Sequence, residues 1–122
     1  MCIRDRCELA RRERVGPLLY DAVRKKHLLP AEVETALRQS YYLTAACNLR
    51  LFAALDQALR ALAARGIEVI VLKGAALAQT VYPSVALRPM GDLDVLVRPA
   101  SVPAARTVTF SSCGSMTAVR RR

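Results

Sequence analysis

The sequence predicts an α+β domain, a helical N-terminal region packed on a small, incomplete mixed β-sheet. Three observations lead there. Apolar residues recur at steps of three and four from Val33 to Leu62, the period of one helix face. Residues 67–72 are β-branched and nearly all apolar, the pattern of a strand covered on both faces. Gly91-Asp92-Leu93-Asp94-Val95-Leu96-Val97 alternates, so a strand there carries Asp92 and Asp94 on one face and Leu93, Val95 and Val97 on the other. Two strands rarely hold a fold alone, and marginal stability is expected of the isolated chain.

Taken in order, residues 7–27 are helical in pattern. Gly16-Pro17 interrupts them, and Pro17 suits the first turn of a new helix. Leu18, Leu19, Ala22 and Val23 form its expected apolar face, followed by Arg24, Lys25 and Lys26, where cations favour the dipole. His27 reads as a helix-end residue. A long helix then runs from about Leu29-Pro30 to Arg65. Its stripe is Val33, Leu37, Tyr41, Thr44, Asn48, Leu51, Leu55, Leu59 and Leu62, and Gly66 is its stop. Thr44 and Asn48 are polar exceptions on that face, marking a kink, a break or a buried hydrogen bond. Cys47 is expected in the core, and Tyr41 and Tyr42 as packing and surface contacts. After the first strand, Lys73-Gly74 leads into a short helix stopped before Pro83.

At 122 residues the chain is at most one small domain, and 53% apolar content argues against disorder. No apolar run is long enough to span a bilayer and no signal-peptide pattern opens the chain, so a cytoplasmic location without membrane contact is expected. Cys2, Cys7, Cys47 and Cys113, with a lone histidine, lack the spacing of a zinc site or a disulfide framework. The formal charge of +9 invites a nucleic-acid reading. More than half of it comes from the two ends, where Arg4, Arg6, Arg106, Arg120, Arg121 and Arg122 face only Asp5. With few aromatic residues for stacking, nucleic acid is disfavoured as a partner.

Two like charges on one strand face are costly unless a cation pairs with them. A divalent metal at a water-accessible strand end is one solution, and it points to phosphoryl or nucleotidyl transfer. The plainer reading is two solvated acids at the start of an edge strand. A strand, a glycine turn and a helix N-terminus form a ready site for an anionic group, to which Lys73 adds a charge. An ordinary strand-to-helix connection with a solvated lysine fits the same residues.

Taken together, Val71-Leu72-Lys73-Gly74-Ala75-Ala76-Leu77, Tyr82-Pro83 and Arg88-Pro89-Met90-Gly91-Asp92-Leu93-Asp94-Val95-Leu96-Val97 resemble the uncharacterised nucleotidyltransferase family of the polymerase-β-like superfamily. The resemblance covers roughly residues 10–105 and implies a sheet of nucleotidyltransferase type. It implies that Asp92 and Asp94 are catalytic and hold Mg2+ (or Mn2+), which bridges an NTP and an attacking hydroxyl. It also implies that Gly74 and Ala75, at the start of the helix, lie against the triphosphate, with Lys73 and Arg88 as further phosphate contacts. The partners implied are an NTP and an unidentified hydroxyl acceptor. Two departures stand out. The turn reads Gly74-Ala75 where many superfamily members have Gly-Ser, and no acidic residue follows Asp94 to supply a third carboxylate.

The ends carry their own expectations. Residues 1–6 resemble a translated sequencing-adapter remnant and are expected to be a non-native leader. Residues 7–65 form the helical region and 66–105 a partial nucleotidyltransferase core. Periodicity fades from about Arg106, so residues 106–122 are expected to be a disordered or frameshifted tail. The expected function is therefore NMP transfer by an intact parent, with this chain an inactive N-terminal fragment. The alternative is a non-catalytic protein-interaction module that keeps the fold.

Overall fold

A computed structural model describes residues 3–26, 28–112 and 119–120, with side chains over 5–26 and 28–107. His27, Cys2 and Cys113 lie outside the described residues, as does most of the chain beyond Ser112. The fold is α+β and mostly helical. In chain order it comprises α1 (Ile3–Arg12), α2 (Gly16–Val23), α3 (Ala31–Ala63), β1 (Val69–Leu72), α4 (Lys73–Thr80), β2 (Asp94–Val97), α5 (Val102–Ser112) and β3 (Val119–Arg120). Single 3-10 turns at Val85–Leu87 and Pro99–Ser101 precede β2 and α5. No described helix is long and apolar enough to cross a membrane.

The long helix α3 is the spine, and its stripe turns inward. Leu37, Asn48, Leu55, Ala58 and Leu62 are buried along it. Leu62 packs with Ile67, Val97, Val102 and Ala105. Leu55 packs with Ala75, Leu93 and Val95. Leu93, Val95 and Val97 thus face the core as the alternation predicts. Cys47 does not: it is exposed, because the 44–48–51 step of the stripe turns Asn48 inward and leaves its neighbour outside.

α3 ends in a Schellman motif. The Ile67 N–H donates to the Leu62 carbonyl (3.0 Å) and the Gly66 N–H to that of Ala63 (2.9 Å). Gly66 takes the left-handed φ of +68° that this cap requires, and Leu62 meets Ile67 across it. α1 closes in the same way, with Val15 N–H donating to the Ala10 carbonyl (2.8 Å) and Arg14 N–H to that of Arg11 (3.0 Å). There the left-handed residue is Arg14, at φ +60°. Its end is therefore strained where that of α3 is not.

The face α2 buries is not the predicted one. Gly16, Pro17 and Tyr20 are buried, while Leu18 is exposed. The reason is close approach: a Cβ on Gly16 would stand 3.3 Å from the Ser40 hydroxyl of α3, and Tyr20 packs against Tyr41 with the rings tilted at 54° and 5.4 Å between centroids. Tyr41 in turn meets Tyr42 edge-on, and Tyr42 is exposed.

β1 and β2 pair antiparallel with Val69 opposite Val97 and Leu72 opposite Asp94. β3 lies parallel to β2 on its far side, so β1 is an edge. The expectation that β1 is covered on both faces is corrected here. Val69 and Val71 pack against the core cluster beneath α3, while Ile70 on the other face is 61% exposed. No described helix covers Ile70, so an apolar run that reads as a central strand is an edge strand with one open face.

Candidate active site

Four short segments build the site: the end of β1, the start of α4, the loop after the first 3-10 turn, and the start of β2. Leu72 is the last residue of β1, and the next residue, Lys73, takes φ +50° and turns the chain into α4. Few non-glycine residues adopt that backbone, and such strain concentrates at functional sites. Because Leu72 pairs with Asp94 across the sheet, the turn sets Lys73 beside the first residue of β2. Lys73 Nζ stands 2.7 Å from Asp94 Oδ2.

The two predicted acids are placed differently. Asp94 belongs to β2 and is 6% exposed. It shares its sheet face with Leu72, Ile70 and Leu96, away from the core residues Val95 and Val97. Asp92 precedes the strand and is exposed, so the pleat does not fix its direction. A carboxylate as buried as Asp94 is costly without a cationic partner, and Lys73 supplies one from a side chain that is 57% exposed.

Gly74 is tightly overlaid. A Cβ there would lie 3.3 Å from Met90 Cγ, 3.4 Å from Met90 Sδ and 3.7 Å from Arg88 Nε. The groups that approach it closely are thus Met90 and the Arg88 side chain. Ala75 is 2% exposed in the core with Leu55 and Leu93, which leaves only its backbone for a ligand. Arg88 lies with its guanidinium carbon 5.8 Å from the centre of the Tyr82 ring. Its Nε is buried with no hydrogen-bond partner among the described residues. A buried, orphaned donor beside a helix N-terminus is suited to an anionic oxygen.

The loop that carries Arg88 is tied to α3 by Asn48. Its Nδ2 donates to the carbonyls of Val85 (2.5 Å) and Arg88 (2.8 Å), and its side chain is fully buried. Of the alternatives for this polar break in the stripe, the structure shows the buried hydrogen bond. Two contributors escape sequence reasoning. Tyr82 is the platform under Arg88, and Arg14 Nη2 comes within 3.7 Å of where a Cβ on Gly91 would stand. Nothing in the sequence singles out Arg14 from the other surface arginines. Tyr82 lies in the motif but gives no sign of its stacking partner.

The model of the uncharacterised nucleotidyltransferase family matches residues 4–111. The chain belongs to that family. No curated protein and no solved structure matches it. The match includes the helical lead-in and most of α5 as well as the Lys73–Asp94 site. For this nucleotidyltransferase-family chain, the donor set near β2 suits a hard divalent cation. Mg2+ keeps several waters and commonly takes only one or two carboxylates, with substrate phosphates completing its shell. Asp92 and Asp94 are two carboxylates of that type, one exposed and one at the buried strand end. Among the described residues, no cluster of three or more His, Cys, Asp or Glu side chains could hold a metal.

Proposed function

We propose that this domain belongs to an enzyme that transfers an NMP from an NTP to a hydroxyl acceptor. The observation that carries the reading is the buried Asp94 at the head of β2, juxtaposed with the α4 turn through Lys73 at 2.7 Å. The family supports a general nucleotidyltransferase function. The NTP, the metal and the hydroxyl acceptor go a step beyond it.

In this reading Asp92 and Asp94 hold Mg2+ (or Mn2+). When bound, the ion would neutralise charge on the triphosphate as the acceptor oxygen bonds to the α-phosphorus and pyrophosphate leaves. The chain's own residues do the positioning. Backbone N–H groups at the start of α4 have no intrahelical acceptor and favour phosphate oxygens. Arg88, over the Tyr82 ring, offers its buried Nε beside them. Asn48 fixes the loop from which Arg88 projects. With no acid after Asp94, this chain supplies two carboxylates to the site.

Calorimetric titration of the full chain with each NTP and Mg2+ tests this. Magnesium-dependent binding should weaken at least tenfold in Asp94→Asn, about the loss of one charge-assisted contact. Unchanged affinity in that variant removes the reading.

A second reading has one observation in its favour. Tyr42, Ala46, Leu49 and Ala53 recur at helical spacing on α3 and are all exposed, which suits a protein-interaction module. Magnesium-independent self-association or partner binding, abolished by Leu49→Glu, would support it over the enzyme reading.

A further inference from the structure

We propose that Lys73 is a built-in counter-ion for Asp94, which a divalent cation must displace before Asp94 can act as a metal ligand. This rests on the reading of Asp92 and Asp94 as the cation site.

Four observations combine. Asp94 is buried at the head of β2, so its charge needs a partner at all times. Lys73 meets that need with its Nζ 2.7 Å from Oδ2. The lysine reaches in from solvent and is 57% exposed against 7% for the aspartate side chain. Lys73 can therefore be rehydrated easily while Asp94 cannot. The residue also sits at φ +50°, where glycine is unstrained and a lysine is not.

The chemistry of the side chain fits exchange. An ammonium is a compact, strongly hydrated point charge on a flexible stem, whereas a guanidinium would clamp the carboxylate with two bonds. A doubly charged cation with hard-oxygen preference outcompetes one ammonium for the carboxylate. The released ammonium remains on the first residue of α4, and the residue after it, Gly74, lies against the Arg88 side chain. Displacement by the metal would thus deliver a second cation to the place assigned to the triphosphate. Lys73 is a positioning residue in this scheme, neutralising Asp94 and then freed by the metal.

The test uses Mn2+ alone with the full chain, following the free-ion signal by electron paramagnetic resonance. Lys73→Met should bind Mn2+ about fivefold more tightly than the unmodified chain, the worth of one partly exposed ion pair. Lys73→Arg should bind no more tightly than the unmodified chain. Asp94→Asn should bind at least tenfold more weakly. Lys73→Gly, which also relaxes the left-handed backbone, replaces Lys73→Met if that variant does not fold, as judged by circular dichroism. If Asp94→Asn loses Mn2+ but removing the lysine leaves affinity unchanged or weaker, the counter-ion role is overturned and the cation site stands. If Asp94→Asn binds as the unmodified chain does, or no form binds Mn2+, the cation-site reading fails and takes the counter-ion role with it.

Discussion

Replacing Asn48 tests the link between the helical region and the site. Its amide donates two hydrogen bonds, to Val85 and Arg88, from a fully buried position. Its Oδ1 has no partner among the described residues. Removing the amide leaves both carbonyls unpaired in a dry site, at a cost of roughly 1–3 kcal/mol each. Removing the unpartnered Oδ1 offsets part of that. Asn48→Ala should therefore destabilise by about 2–4 kcal/mol. Asn48→Asp changes few atoms but turns a donor into an acceptor facing two carbonyl oxygens, and buries a charge. Its loss should exceed that of alanine by at least ~1 kcal/mol. Urea denaturation of the full chain, followed at a helical circular-dichroism band, reads both. Equal losses, or a loss below about 0.5 kcal/mol for either variant, would mean that the amide does not donate as described.

Two further predictions concern the backbone. Gly66 has the left-handed φ of a helix cap, and a Cβ added there would meet nothing within 4 Å, so Gly66→Ala should cost about 1 kcal/mol through strain alone. Arg14 holds the equivalent position on α1 at φ +60°, so Arg14→Gly should stabilise by roughly 0.5 kcal/mol once the looser unfolded chain is counted. Thermal melts of the two variants should move in opposite directions. Gly74→Ala gains up to about 1 kcal/mol of helix propensity but presses on Met90 at 3.3 Å, a flexible side chain able to give way. Its melting temperature should change by less than about 4 °C.

The elements were legible where one local rule decides them. The 3-4 stripe gave α3, and Gly66 closes it with the bonds that a glycine stop implies. The motif around Lys73 and Asp94 gave the family. What failed to read depends on neighbours that periodicity cannot see. Residues 67–72 are apolar enough for a central strand, yet nothing described covers Ile70, so β1 is an edge. Leu18 and Leu19 outrank Gly16 and Pro17 in hydrophobicity, yet α2 buries the glycine and proline, with the small profile of Gly16 admitting Ser40. Asp92 and Asp94 share a face only if the strand includes both, and β2 begins at Asp94.

The ion pair also explains why the site cannot be judged from its motif segments alone. Lys73 and Asp94 are neighbours because β1 and β2 pair in the register that sets Leu72 against Asp94. That register is held from below, where Val69, Val71, Leu93 and Val95 pack with Leu51, Phe52, Leu55 and Leu59 of α3. A one-residue slip would turn every strand side chain to the opposite face. It would bury Leu96 and expose Val95, and would part Asp94 from the lysine. The same helix reaches the other half of the site through Asn48, one helical turn before Leu51. α3 therefore sets both the sheet register and the loop bearing Arg88. Substitutions on its inner face should alter ligand binding as well as stability, even though α3 supplies none of the predicted site residues.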